Sequence, residues 1–178
     1  MKKLIYFLSI AVFFALYSCK NNEAENSNNI ALAEGWEILD LSAPQSSFSM
    51  PFVINIPGAD ITKGVANVLE SNNGGTQINA GANYNIEILP AAADMNQKKA
   101  EIASDGIFKI SYEIDEPNLI LYKAEIEGTD VVQYHFLSFV KVGNTTYEIS
   151  DIKDNEFSKE NIQMMIESSK TLRDKPKA

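Results

Sequence analysis

Cysteine and histidine are nearly absent from this 178-residue chain, which has one of each. One cysteine excludes an intramolecular disulfide framework and any cluster of cysteine metal ligands. One histidine excludes a multi-histidine zinc site within one chain and any histidine-pair relay. Basic residues are scarce beside acidic ones, 15 Lys and Arg against 24 Asp and Glu, for a formal net charge of −9. That balance excludes a generic nucleic-acid binder, which needs clustered Lys and Arg to neutralise phosphates. No repeat with a period of 20–50 residues is present. What the chain does have is a 45% hydrophobic and 22% charged composition, which suits an ordered domain rather than a disordered acidic chain. Its length suits one such domain.

The N-terminus carries a strong pattern. Lys2 and Lys3 form a short basic region, and Leu4 to Leu16 is apolar except for Ser9. This run has signal-peptide length and is too short to cross a bilayer core of roughly 30 Å, which takes about 20 apolar residues. Leu16-Tyr17-Ser18-Cys19 follows. It resembles the lipobox of bacterial lipoproteins: Leu at −3, a small residue at −1 and Cys at +1, with Tyr17 bulkier than usual at −2. The resemblance implies cleavage before Cys19 and a diacylglyceryl group on its sulfur. It makes Cys19 a lipidation site and the membrane a partner through that anchor. Residues 20–34 are Asn-rich and poor in apolar side chains, so residues 19–34 read as a flexible tether. By resemblance to the lipoprotein sorting rule, Lys20 fits passage to the outer membrane, on its periplasmic or surface face; Glu23 and Glu25 point toward the surface. Removing residues 1–18 moves the net charge to −11, of which residues 19–157 carry −13 and residues 158–178 carry +2. An acidic body of this kind is repelled by anionic head groups.

Residues 35–178 read as one α+β domain in which an antiparallel sheet of about six strands is covered by a C-terminal helix and a shorter internal helix. Trp36–Leu41 and Phe52–Ile56 are strand candidates, the second closed by Pro57-Gly58. Asp60–Ser71 reads equally as helix or strand, and Asn72-Asn73-Gly74-Gly75 as a turn. Tyr84, Ile86 and Ile88 alternate with polar residues. Asp94 and Gln97 have capping-box spacing ahead of an Ala- and Lys-rich stretch, which predicts a helix within 91–104. A meander follows. Phe108, Ile110, Tyr112 and Ile114 are placed on one face, Asp115–Asn118 in a turn, and Ile120, Tyr122, Ala124 and Ile126 repeat the alternation. Val132, Tyr134, Phe136, Val140 and Val142 continue it, and Gly143-Asn144 turns the chain into a strand with Tyr147 and Ile149. Ser158 is the predicted N-cap of the last helix, with a Phe157–Ile162 staple. Its apolar face runs through Ile162, Met165, Ile166, Ser169 and Leu172, and Lys170, Arg173 and Lys175 favour its negative end.

This order of Gly35-Trp36, an apolar strand ending at Pro57, a helix, a meander and a Ser168-Ser169-bearing last helix resembles the Mog1/PsbP-like family over about residues 35–175. In that family an antiparallel sheet is flanked by helices and members act as accessory, assembly or binding proteins. The Asn/Gly-rich stretch 71–83 departs from the pattern, and no functional residue carries over.

Candidate chemistry is sparse. His135 is the strong neutral-pH base, placed opposite the Tyr134/Phe136 face, and a catalytic role needs an orienting carboxylate. Asn72–Thr76 with Gly81 lacks the GxxxxGK[ST] of a phosphate loop and reads as a plain loop. Asp115, Glu116, Asp151, Asp154 and Glu156 lack the spacing of a calcium loop and read as solvated turn charges. Tyr112, Tyr122, Tyr134, Tyr147 and Trp36 could line a ligand face, but the four tyrosines fall on the apolar side of their strands and read as core. The expectation is a lipid-anchored accessory protein of the cell envelope that binds a protein partner or envelope component, with no catalysis, cofactor or nucleic acid. The alternatives are a lipoprotein that binds a small lipid, sugar or peptide, and a carboxylate-dependent hydrolase.

Overall fold

The computed structural model describes residues 30–42, 50–153 and 155–176. Cys19, the signal segment, the tether as far as residue 29, and Asp154 lie outside them. The described chain is α+β, with every strand pair antiparallel, as the alternation predicts. Strands β1 (Trp36–Asp40) and β2 (Phe52–Pro57) lead through a single helical turn, α1 (Ala59–Thr62), to β3 (Ala66–Glu70), β4 (Thr76–Ala80) and β5 (Tyr84–Pro90). Helix α2 (Met95–Ala103) precedes a meander of β6 (Lys109–Glu116), β7 (Leu119–Glu125), β8 (Val132–Val142) and β9 (Thr145–Asp151). Helix α3 (Lys159–Ser169) and a short β10 (Arg173–Asp174) close the chain. A seven-stranded sheet has the order β3-β4-β5-β9-β8-β7-β6, and a three-stranded sheet the order β1-β2-β10.

Ten strands form among the described residues where about six are expected: β3 and β4 lie in sequence that reads as ambiguous or as loop, and β10 follows the early end of α3. Residues 60–71 split into α1 and β3. The Asn/Gly-rich stretch contains β4, whose inward residues Thr76, Ile78 and Ala80 are buried while Gln77 and Asn79 face outward. Gly81 turns β4 into β5 with φ of 62°, and a Cβ there would sit 2.2 Å from the Thr62 carbonyl, so both conformation and space demand glycine. Gly143 opens the β8–β9 hairpin at φ of 58°, which suits the first position of a two-residue turn.

Helix α3 caps as expected: the Ser158 side chain accepts the Asn161 amide. Its Ile162, Met165 and Ile166 are buried between β2 of the small sheet and β5, β8 and β9 of the large one. The helix ends sooner than its sequence period suggests. Thr171 accepts from the Asn55 amide (2.8 Å) and donates to the Ser168 carbonyl (2.7 Å), and the chain turns into β10. Arg173 therefore leaves the helix terminus and donates to the Asn55 side chain at 3.0 Å, while Lys175 pairs with Asp40. At the centre of this layer Tyr84 donates to Ser168 Oγ (2.6 Å), which donates to the Asn55 carbonyl (2.5 Å).

Among the described residues, α2 covers the opposite face of the large sheet. Its capping box forms, Asp94 accepting from the Gln97 amide at 2.9 Å while Gln97 accepts from the Asp94 amide at 3.0 Å. Here Met95 and Ile102 pack on Ile110, Tyr112, Ile120, Tyr122, Leu137 and Phe139 as a second, smaller cluster. A bulge in β6 between Tyr112 and Ile114 corrects the expected single face: Ile110 and Tyr112 face α2, and Ile114 joins the α3 core. An extra residue in one strand inverts the side-chain parity beyond it.

Candidate functional site

A cavity of about 470 Å³ opens between α2 and the sheet at the ends of β7, β8 and β9. Ile102 of α2, Phe108 just before β6, Ile110 within it, and Tyr122, Ala124 and Leu137 of the meander form its apolar walls. Gln133, His135 and Ser150 add polar groups, and Lys98, Glu101, Asp105, Glu148 and Lys153 ring it with charge. Lys98 bridges to Glu148 at 3.0 Å, tying α2 to β9 across the sheet.

His135 reaches this cavity through strand register. Antiparallel pairing sets Tyr122 of β7 directly opposite His135 of β8, so the two share a face, and their rings lie 5.4 Å apart. Alternation puts each of the four tyrosines on the apolar side of its own strand and reads them as core. The structure divides the tyrosines instead: Tyr134 and Tyr147 pack against the α3 core, Tyr112 and Tyr122 against α2. Strand β7 is apolar on both faces, Leu119 and Leu121 on one and Ile120 and Tyr122 on the other, so its period alone does not orient it. Trp36 lies half-buried on the small sheet and lines no part of the cavity.

Asp151 corrects a second expectation. It is 4% exposed rather than a solvated turn charge. Its Oδ1 accepts the Phe136 amide at 2.8 Å and its Oδ2 lies 2.7 Å from His135 Nδ1. It is the orienting carboxylate that sequence could not locate. Against a carboxylate, Nδ1 carries the proton and donates, so Nε2 is the ring's acceptor whenever the imidazole is neutral. Nε2 has no hydrogen-bond partner among the described residues, and neither does the Tyr122 hydroxyl. Burial pushes the Tyr122 phenol well above its usual 10, and the Asp151 and Asp105 carboxylates act in the same direction. Tyr122 therefore stays a proton donor at neutral pH. Ser150 lines the same cavity but makes no hydrogen bond to His135 among the described residues.

The other candidates stand apart from this site. Asp115, next to the end of β6, forms an ion pair with Lys99, Glu116 is exposed beside it, and Glu156 is exposed. In the 71–75 loop Ser71 and Asn73 donate to the buried Glu87, so the loop's polar groups serve its own carboxylate. Among the described residues no three His, Cys, Asp or Glu side chains converge as metal ligands. No protein-family model, curated protein or solved structure matches this chain.

Proposed function

We propose that the chain is a lipoprotein of the outer membrane, anchored through Cys19, and that its domain serves as an accessory protein that binds an envelope component in the cavity beneath α2 without converting it. The observation that carries the binding role is the cavity itself. Its volume of about 470 Å³ falls within the roughly 300–1,000 Å³ of small-molecule sites, and it holds two buried polar side chains with atoms left unpartnered. The lipobox supports the anchor, and the tether with the acidic body supports a domain held off the membrane. The likeness to Mog1/PsbP-like accessory proteins points the same way and rests on sequence features alone.

Two measurements test this. Labelled palmitate is incorporated into the wild type and not into Cys19→Ser; an unlabelled wild type removes the anchor. A thermal-shift screen of sugars, lipids and short peptides yields a stabilising ligand whose effect is lost on narrowing the cavity with Ala124→Phe; no shift from any class removes the binding role in favour of a surface that recruits a protein, which crosslinking from intact envelopes then reads. The Asp151–His135 pair favours a second reading, a hydrolase in which His135 activates water. Turnover of chromogenic esters that is abolished in both His135→Ala and Asp151→Asn establishes it in place of pure binding.

A further inference from the structure

We infer that the cavity beneath α2 is a binding site for a neutral saccharide, with one sugar hydroxyl seated between Tyr122 and His135. This rests on the ligand-binding reading above and names the ligand class. Tyr122 offers a donor and His135 Nε2 an acceptor from adjacent rings, both side chains being more than nine-tenths buried. A hydroxyl accepts from the first and donates to the second at once through a single oxygen. Beside the neutral imidazole a carboxylate or phosphate oxygen would meet the Nε2 lone pair, an ammonium would leave the phenol's proton without an acceptor, and an alkyl chain would strand both, at about 1–3 kcal/mol for each buried polar group left unsatisfied.

The rest of the cavity suits the remainder of a sugar ring. Gln133 and Ser150 each donate and accept, and Phe108 and Ile110 offer apolar walls to the ring's C–H face. The rim carries two lysines and three carboxylates, with Lys98 held by Glu148, so no surplus of positive charge is available for an anionic ligand. The polar groups also continue out of the cavity. Ser150 of β9, Glu87 of β5 and Gln77 of β4 stand in register across the sheet, and Gln77 donates to Asn85 at 2.9 Å. That polar row lies on the sheet face beside α2; Glu87 is held by Ser71 and Asn73, which leaves the Gln77 side-chain oxygen to meet a second sugar unit.

The test is NMR titration of the intact isotope-labelled chain in a zwitterionic detergent. The probes are glucose, N-acetylglucosamine, maltose, cellobiose and chitobiose, with glucuronate and decanoate as comparators. The expected result is saturable shifts at Tyr122, Gln133 and His135 with at least one neutral sugar, stronger for its disaccharide. Affinity should fall about tenfold or more in Tyr122→Phe, the loss of one buried hydrogen bond to the ligand. Tyr122→Phe removes a single oxygen, and Gln133→Ala at the half-exposed wall gives a second variant that keeps the fold; unchanged melting temperatures verify both. Decanoate or glucuronate shifting the cavity in place of neutral sugars overturns the saccharide assignment and leaves the ligand-binding reading standing. Sugar binding unaffected by Tyr122→Phe overturns the seat between the two rings. No cavity shift with any probe overturns the saccharide assignment, and the wider screen with lipids and short peptides then decides the ligand-binding reading.

Discussion

The two faces of the seven-stranded sheet are closed in different ways. On one, the 11-residue α3 and a second sheet bury a continuous apolar layer whose central hydroxyls are bonded end to end, from Tyr84 through Ser168 to the Asn55 carbonyl. On the other, the 9-residue α2 covers only part of the sheet, packs a smaller cluster and leaves a cavity beside it. Tyr84 and Tyr122 show the contrast at the level of one residue type. Burial raises the phenol pKa of both, but Tyr84 finds a serine while Tyr122 finds open space. A fold that places most of its packing on one face can leave polar groups unmatched on the other, where a ligand can match them.

The largest effect that separates the faces comes from truncating one isoleucine on each helix. Ile162 is fully buried in the α3 layer, so Ile162→Ala should cost about 2–5 kcal/mol from lost burial and a residual cavity. Ile102 is only partly buried against the α2 cluster, and Ile102→Ala should cost about 1 kcal/mol. Urea denaturation at constant m-value measures both. Ligand affinity should show the reverse order, falling in Ile102→Ala and holding in Ile162→Ala. Equal destabilisation would mean that both faces carry the fold alike.

A smaller effect tests whether α2 acts as the wall of the cavity. Asp94→Ala removes the reciprocal cap on the helix, at about 1 kcal/mol. Amide exchange should then quicken along 95–103 and leave α3 unchanged. Ligand binding should weaken, because Lys98, Glu101 and Ile102 lose their positions at the cavity. Intact binding with a frayed α2 would place the ligand elsewhere.

The same two faces explain what could be read from residues alone. The α+β class, both long helices and their caps follow from local chemistry, since Asp94, Gln97 and Ser158 act within a few residues of themselves. Strand β4 was hidden because Asn, Gly and Gln surround its three inward side chains, a composition that ordinarily marks loops. The site was hidden for a different reason. Tyr122, His135 and Asp151 come from three strands, and their meeting depends on cross-strand register and on β7 being apolar on both faces. Alternation tells which residues share a face within one strand; it does not tell which way a doubly apolar strand turns. Likewise nothing local distinguished Asp151 from the acids that follow it, because its burial comes from the end of β9 lying against β8.

The smallest effect concerns a rim charge on the stable side, and it should leave the cavity untouched. Asp40, at the end of β1, accepts from Lys175 Nζ at 2.5 Å and from the Ser42 amide and hydroxyl at 2.9 and 2.6 Å, pinning the chain beyond β10 to the edge of the small sheet. The Lys175 hydrogen bond, and then those from Ser42, hold its carboxyl down at about 2, below its ordinary 3.8. A carboxyl with a lower pKa in the folded state contributes stability that is present above the unfolded value and is lost as pH falls through the folded one. Asp40 should therefore contribute above pH about 4 and lose that contribution as the pH drops toward 2. Its exposure makes the contribution small and open to screening by salt. Asp40→Asn should then flatten the acid limb of the stability curve in low salt and leave it unchanged in high salt, with ligand affinity at pH 7 the same in both proteins. A carbon-detected titration that puts the Asp40 carboxyl near 4 would show that the clamp does not hold in solution. A fall in affinity at pH 7 would show instead that the small sheet and the cavity are mechanically linked, and that the division between a packed face and a binding face is less complete than the side-chain placement implies.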